Sequence, residues 1–278
     1  MAYSIANIAA IVGGTLSGPR HGDSIEHLLL DSRRLIFPGT SLFFALKGPR
    51  RSGDKFIAEL YRRGVRNFVV SAQPAADLTD ANFIEVDDPL AALQRLAAFH
   101  RMQFSLPVIG ITGSNGKTTV KEWLNQLLED RYHIVRSPKS YNSQTGVPLS
   151  VWQLQPVHGL AIFEAGISRR GEMRRLQPVV RPTIGLFTNI GEAHSEGFGS
   201  RAEKAAEKLN LFKDAEVLIY CNDQPETVSA IAGWDAKGNT RLFAWGSKPG
   251  AAMPIGRIEK RTAGQRSPDR QYPSPFPL

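Results

Sequence analysis

Cysteine is almost absent: Cys221 is the single one in 278 residues. One thiol cannot close an internal disulfide or build a thiolate metal cage. A disulfide scaffold is therefore excluded, and a cytoplasmic location is expected. No stretch approaches the ~18 consecutive apolar residues that a membrane-spanning helix requires. Residues 1–14 lack a basic segment ahead of an apolar core and lack a small-residue cleavage site, so no signal peptide is expected. Aromatic residues make up only 9% and do not interleave with the basic pairs as a nucleic-acid-binding sheet would require. Nucleic acid is thus not an expected partner, and no internal repeat is visible.

What is present is ordinary globular usage, 42% hydrophobic and 22% charged, in a chain long enough for two cored domains. The net charge of +8 favours an anionic partner. Part of the excess lies after residue 250, where five basic side chains face two acidic ones. A phosphorylated small molecule accounts for the rest.

The apolar pattern divides the chain at residue 105. Before it, strands are expected over 27–30, 41–46, 67–70 and 83–86, with helices over 4–12, 55–63 and 89–102. From 107 onward strand and helix alternate regularly. Strands are expected over 107–112, 159–163, 183–188, 217–220 and 241–245, and helices over 117–130, 171–176 and 201–212. That alternation predicts an α/β fold: a small N-terminal α/β domain, 1–104, and then a mostly parallel sheet covered on both faces, 105–247. Residues 248–278 carry six prolines with several glycines and arginines and no period, so an irregular or disordered tail is expected.

The strongest chemical signal is Thr112-Gly113-Ser114-Asn115-Gly116-Lys117-Thr118-Thr119, between an apolar strand and a helix. Its glycines let backbone N–H groups converge on phosphate oxygens. Lys117 supplies a cation to the β/γ-phosphates, and Thr118 offers a hydroxyl to Mg²⁺. The pattern departs from Gly-x4-Gly-Lys-[Ser/Thr], because Ile111 stands at the first glycine position. Glu164 closes an apolar strand where a metal-holding acid belongs in such sheets. Taken alone, such a glutamate is a helix cap or salt-bridge partner. In the same way His194 is a loop or core histidine, and Lys208 part of a charged helical face. Asp31-Ser32-Arg33 is by itself a turn with a salt bridge, and Asn142 a turn residue.

Together these stretches resemble the Mur ligase family, the ATP-dependent enzymes that extend the peptide of the cell-wall precursor. The loop at 112–119 resembles that family's variant of the phosphate loop, including the departure at Ile111. Phe163-Glu164-Ala165-Gly166 and the segment 188–194 resemble the family's metal-binding acid and histidine. The segment 207–212 resembles the one whose lysine is carbamylated. Residues 141–148, with Asn142 and Ser143, resemble its substrate loop. Asp31-Ser32-Arg33 and 42–48, with Lys47, resemble the part that holds the UDP-sugar. The resemblance runs over residues 1–246, and its details are similar to the branch that adds D-alanyl-D-alanine to UDP-N-acetylmuramoyl tripeptide, in the form fused to an alanine racemase.

The resemblance implies ATP and two Mg²⁺ ions, one held by Thr118 and Glu164, the other by His194 and a carbamylated Lys208. Lys204 is the competing lysine; Lys208 is preferred because it stands four residues before Phe212. Lys117, His194 and Lys208 are the implied catalytic residues. Nothing after Gly246 resembles the family's third domain or the fused racemase, so loss of both is expected. Two other readings stay open: a catalytically silent module that binds the same ligands, and a folylpolyglutamate-type ligase. The segments at 31–33 and 42–48 argue against the latter, which needs no UDP-sugar domain.

Overall fold

The computed structural model describes residues 1–48, 52–74, 78–191, 197–234 and 240–256. The chain opens with β1 (Tyr3–Ser4), which pairs antiparallel with β3 (Ser24–Ile25). Between them lie α1 (Ile5–Val12) and β2 (Thr15–Ser17). The Ser4 side chain caps α1 by accepting from Asn7 N, and Gly13, at φ 65°, ends the helix in the left-handed region open to glycine.

The chain continues through β4 (His27–Leu29), β5 (Ser41–Phe44), α2 (Ile57–Arg62), β6 (Asn67–Val70), β7 (Asn82–Glu85) and α3 (Pro89–Met102). The first sheet has five strands in the order β2-β7-β6-β5-β4, parallel except for the antiparallel β2–β7 pair. Alternate strand residues feed opposite faces. Leu42, Phe44, Val69 and Ile84 pack with α1 and α3, whereas Phe43, Phe68, Val70 and Phe83 pack with α2.

The second half comprises β8 (Val108–Thr112), α4 (Lys117–Leu128), β9 (Ile134–Arg136), α5 (Gly146–Val151), β10 (Leu160–Glu164), α6 (Glu172–Val180) and β11 (Ile184–Phe187). After these come α7 (Arg201–Leu209), β12 (Val217–Cys221), α8 (Pro225–Ala232), β13 (Arg241–Gly246) and β14 (Met253–Pro254). They build a seven-stranded, all-parallel sheet in the order β14-β13-β12-β11-β8-β10-β9. Every residue of β8 and β10 is buried, as a sheet covered on both faces requires. Ile109, Ile111, Leu160 and Ile162 meet Val120, Leu124 and Leu128 of α4, while Val108, Ala161 and Phe163 face the core under α5 and α6. Strand order departs in opposite directions from β8, so its carboxyl end opens a crevice between diverging connections.

Helix α3 joins the two halves. Asp88 caps it by accepting from Leu90 N and Ala91 N, and it packs on α1 on one side and on α5 and α6 on the other. Near its end the buried Arg101 donates to Val180 O, Arg181 O and Phe104 O. The carbonyls of Val180 and Arg181 close α6, which runs through Pro178 to Val180 and not to the expected stop at 176. A guanidinium from α3 satisfies the orphan acceptors. Besides the short strands β1, β2, β3 and β14, two elements had no sequence signal, β9 and α5. The first is a three-residue edge strand, and the second holds Gly146 and Pro148 and is stabilised by burial against α3. The expected irregular tail needs correction at residues 253–254. Met253 and Pro254 extend the sheet by pairing with Trp245 and Gly246, and on this outermost strand a proline costs no ladder bond.

Candidate active site

The crevice at the carboxyl end of β8 contains most of the residues singled out in the sequence. Ile111 is still inside β8 and fully buried, so the turn begins at Gly113. A side chain at Gly113 is doubly excluded: its φ is 148°, and a Cβ would lie 1.9 Å from Thr188 Oγ1. Gly116 has open space around it, but its φ of 79° selects glycine. Thr112 is buried, with its hydroxyl donating to Ala165 O at 2.7 Å, which ties the exits of β8 and β10 together. On the other side Ser114 N donates to Asn189 O, Asn115 N to Asn189 Oδ1, and Thr188 Oγ1 to Asn115 O. The loop is thus braced from β10 and β11 before any ligand arrives.

Three ammonium groups converge there. Lys117 Nζ donates to Gly113 O at 2.8 Å and Ser114 O at 3.2 Å, and Lys208 Nζ to Gly113 O at 3.1 Å. Lys204 Nζ donates to Gly191 O at 2.9 Å. With Gly113, Ser114, Asn142 and Ser143 these lysines line a cleft of about 290 Å³. Burial lowers all three amines from the usual lysine range. Lys208 falls furthest, to about 7, through burial and then through the charges of Lys117 and Lys204. It is the one able to shed its proton at neutral pH.

Beneath the cleft Glu164 is fully buried. Its Oε2 accepts from Thr118 Oγ1 at 3.0 Å and from Asn142 Nδ2 at 3.4 Å. Its Oε1 lies 3.0 Å from the equally buried Lys121 Nζ but accepts no hydrogen bond. Lys121 also donates to Ser137 O at 2.7 Å and to Lys139 O, pinning the chain that leads from β9 into the 141–146 loop. Sequence reasoning missed Lys121; its spacing, one turn after Lys117, is the available signal. The hydroxyl and the carboxylate oxygen are hard donors that fit Mg²⁺. Among the described residues no group of three or more His, Cys, Asp or Glu forms a metal cluster. An ion on Thr118 and Glu164 would keep much of its water, as Mg²⁺ does.

The remaining candidates are scattered. Asn115, Gly116 and Thr119 are exposed at the start of α4. His194 lies outside the described residues. Asp31 lines a second cleft, of about 420 Å³, with Arg34, Tyr141 and Ser143. The two clefts share Ser143 and Thr145. Asp31 accepts from Arg33 at 2.7 and 2.9 Å, which draws its carboxyl down to about 2. Arg33 itself is turned outward, its side chain 85% exposed. Ser32 is buried, with its carbonyl accepting from Arg63. Lys47 is exposed and bridges to Ser52. Arg34, which sequence reasoning passed over in favour of Arg33, donates to Tyr141 Oη and stands 5.7 Å from that ring. No helix of the described residues is long and apolar enough to cross a membrane.

Comparison with known proteins identifies the family and the fold. The Mur ligase middle domain matches residues 111–272. Over 226 residues the chain is 35% identical to the UDP-N-acetylmuramoyl-tripeptide–D-alanyl-D-alanine ligase of Bacillus subtilis, covering 80% of this chain and 49% of that protein. The enzyme of the same name from Escherichia coli is 32% identical over 212 residues, 76% of this chain and 45% of that one. The fold superposes on MurF from Acinetobacter baumannii with a TM-score of 0.80 at 26% identity, covering 89% of this chain and 54% of that one. MurF ligase from Thermotoga maritima, solved in complex with ADP, gives 0.69 at 26% identity over 80% of this chain and 51% of that chain. The chain spans about half the length of the curated relatives it matches.

Proposed function

This chain belongs to the Mur ligase family, and from that premise we propose that it serves the ATP-dependent joining of D-alanyl-D-alanine to UDP-N-acetylmuramoyl tripeptide. The observation that carries the reading is the convergence of Lys117, Lys204 and Lys208 on one cleft, directly above the Thr118–Glu164 pair. In the reaction the tripeptide carboxylate takes the terminal phosphoryl group of ATP, giving an acyl phosphate and ADP. The dipeptide amine then attacks the acyl carbon, the C–N bond forms, and phosphate leaves with the C–O bond.

The chain's own residues meet the needs of that sequence. Phosphate oxygens fit the N–H groups of 113–117 at the start of α4, where the helix dipole and Lys117 oppose their charge. Mg²⁺, when bound by Thr118 and Glu164, would screen the charge of the phosphates. Lys208, with its amine near neutrality, can add to CO₂: the N–C bond forms, a proton is released, and an anionic oxygen replaces a cation. A second ion would then rest on that carbamate and His194. The second cleft, with Asp31, Arg34 and Tyr141, is assigned to the UDP-sugar, and the shared Ser143 and Thr145 lead from it to the phosphate cleft.

A ligand that binds only the folded chain must raise its melting temperature. Mg²⁺-ADP and the UDP-muramoyl tripeptide are each expected to do so, and Lys117→Ala is expected to abolish the ADP shift alone. Shifts with neither ligand, or a folate shift without a UDP-sugar shift, would overturn the reading. Phosphate release that requires D-alanyl-D-alanine then tests the complete reaction.

A further inference from the structure

The loop along the second cleft begins at a turn that its own residue types do not favour. We propose that Lys121 is a positioning residue for the UDP-precursor: its ammonium, anchored on Glu164, holds the turn at 138–141 and so sets Ser140, Tyr141 and Ser143 along the second cleft. The inference rests on the assignment of that cleft to the UDP-sugar and adds the residue that shapes its wall.

Tyr141 N donates to Pro138 O at 3.1 Å and closes the turn. Its second residue, Lys139, has a φ of 50°, in the left-handed region that a Cβ disfavours. Lysine does not select that conformation, as glycine or asparagine would. The Lys139 carbonyl, however, accepts from Lys121 Nζ, and so does Ser137 O at 2.7 Å. Past the turn the chain is tied to the exit of β10: Gly166 N donates to Asn142 O at 2.7 Å, and Asn142 Nδ2 to Glu164 Oε2 at 3.4 Å. The segment 137–142 is thus fastened at both ends, and Lys121 holds the end where the backbone is strained.

The physical chemistry follows from burial. Lys121 is 0% exposed, and a buried ammonium persists only where its charge is paired and its N–H groups have acceptors. Its Nζ lies 3.0 Å from Glu164 Oε1 and 3.1 Å from Glu122 Oε1. Glu164 is fixed in turn, by Thr118 and Asn142 at its other oxygen and by its own backbone N, which donates to Ser137 Oγ at 3.1 Å. Charge pairing therefore fixes the ammonium, which directs its remaining N–H groups at the carbonyls of residues 137 and 139. A hydrogen bond from a charged donor is strong enough to offset one unfavourable φ. With a neutral side chain at 121, Lys139 would relax to negative φ and carry Ser140 and Tyr141 away from Arg34.

The test asks whether Lys121 acts through the turn. The full chain is titrated calorimetrically with UDP-muramoyl tripeptide and, in EDTA, with ADP. Lys121→Met is expected to weaken tripeptide binding about tenfold, as the loss of one charged hydrogen bond does, and to leave ADP binding unchanged. Rescue at the backbone then separates positioning from packing. The Lys139 side chain is exposed, and glycine there takes a positive φ readily. In a Lys139→Gly background the loss from Lys121→Met should therefore shrink to about twofold. A lysine that only fills space would cost the same in either background. Should Lys121→Met fail to fold because it strands the Glu164 charge, the same comparison is made with Glu164→Gln present in every chain. Unchanged tripeptide affinity, equal losses on both ligands, or a loss undiminished beside Lys139→Gly would overturn the proposal. A wild-type chain that does not bind the tripeptide would overturn the assignment of the second cleft itself.

Discussion

Lys208→Met is expected to stabilise the protein while removing its chemistry. A lysine that falls from 10.5 to about 7 on folding is carried into the native state at a cost. At about 1.4 kcal/mol per pH unit, that cost is about 4 kcal/mol near neutral pH. Methionine has a similar shape and no charge to desolvate. It forfeits the hydrogen bond to Gly113 O, about 1 kcal/mol, but that carbonyl keeps Lys117 as a donor at 2.8 Å. The net gain is about 2–3 kcal/mol. For a chain of this size it raises the melting temperature by about 5–10 °C. The sign of the pH dependence is fixed by the depressed pKa. Stability attributable to Lys208 is fully present above 10.5 and is lost as pH falls to about 7, below which the difference stays constant. Thermal unfolding of both proteins, without nucleotide and in CO₂-free buffer, should therefore show the variant's advantage largest at pH 7 and shrinking toward pH 10. A variant that melts below wild type at pH 7, or an advantage that does not shrink with rising pH, would refute the reasoning.

Three further outcomes are expected. Gly113→Ala should abolish Mg²⁺-ADP binding by calorimetry and lower the urea midpoint, since its Cβ would collide with Thr188 Oγ1; binding at wild-type strength would count against the loop geometry. His100, 1% exposed, is held between Tyr3 Oη at 2.8 Å and Leu154 O at 3.1 Å, and burial pulls it from 6.5 to about 4. Stability from its neutral form, about 3 kcal/mol, is present above pH 6.5 and is lost as pH falls through 4; His100→Gln, which does not titrate, should flatten that part of the urea-midpoint profile. Arg34→Ala should weaken UDP-muramoyl tripeptide binding by about tenfold, as the loss of a charged contact does, without changing Mg²⁺-ADP binding. Equal losses on both ligands would separate Arg34 from the second cleft.

The sequence by itself determined the elements whose signals are local. The apolar runs read as strands over 107–112 and 159–163 become β8 and β10 of a doubly covered parallel sheet, in which neither face has to be polar. Asp88-Pro89 marks the start of α3, since cap and N1 chemistry act within one turn. The glycines and lysine of 113–117 announce a phosphate loop because backbone conformation and charge are written in adjacent residues. Tertiary structure decided what depends on distant partners. Pro178 signals a helix end, yet Arg101, more than seventy residues away, caps α6 beyond it. The strand β9 exists because β10 offers an edge, and α5 because α3 covers it. Likewise Arg33 and Arg34 are neighbours of equal charge in sequence, and only the approach of Tyr141 turns Arg34 toward the second cleft. Nothing local distinguishes Lys204 or Lys208 from a solvated helical face. Their burial comes from packing against the phosphate loop, and that burial, with the positive charges nearby, lowers both amines from the usual lysine range.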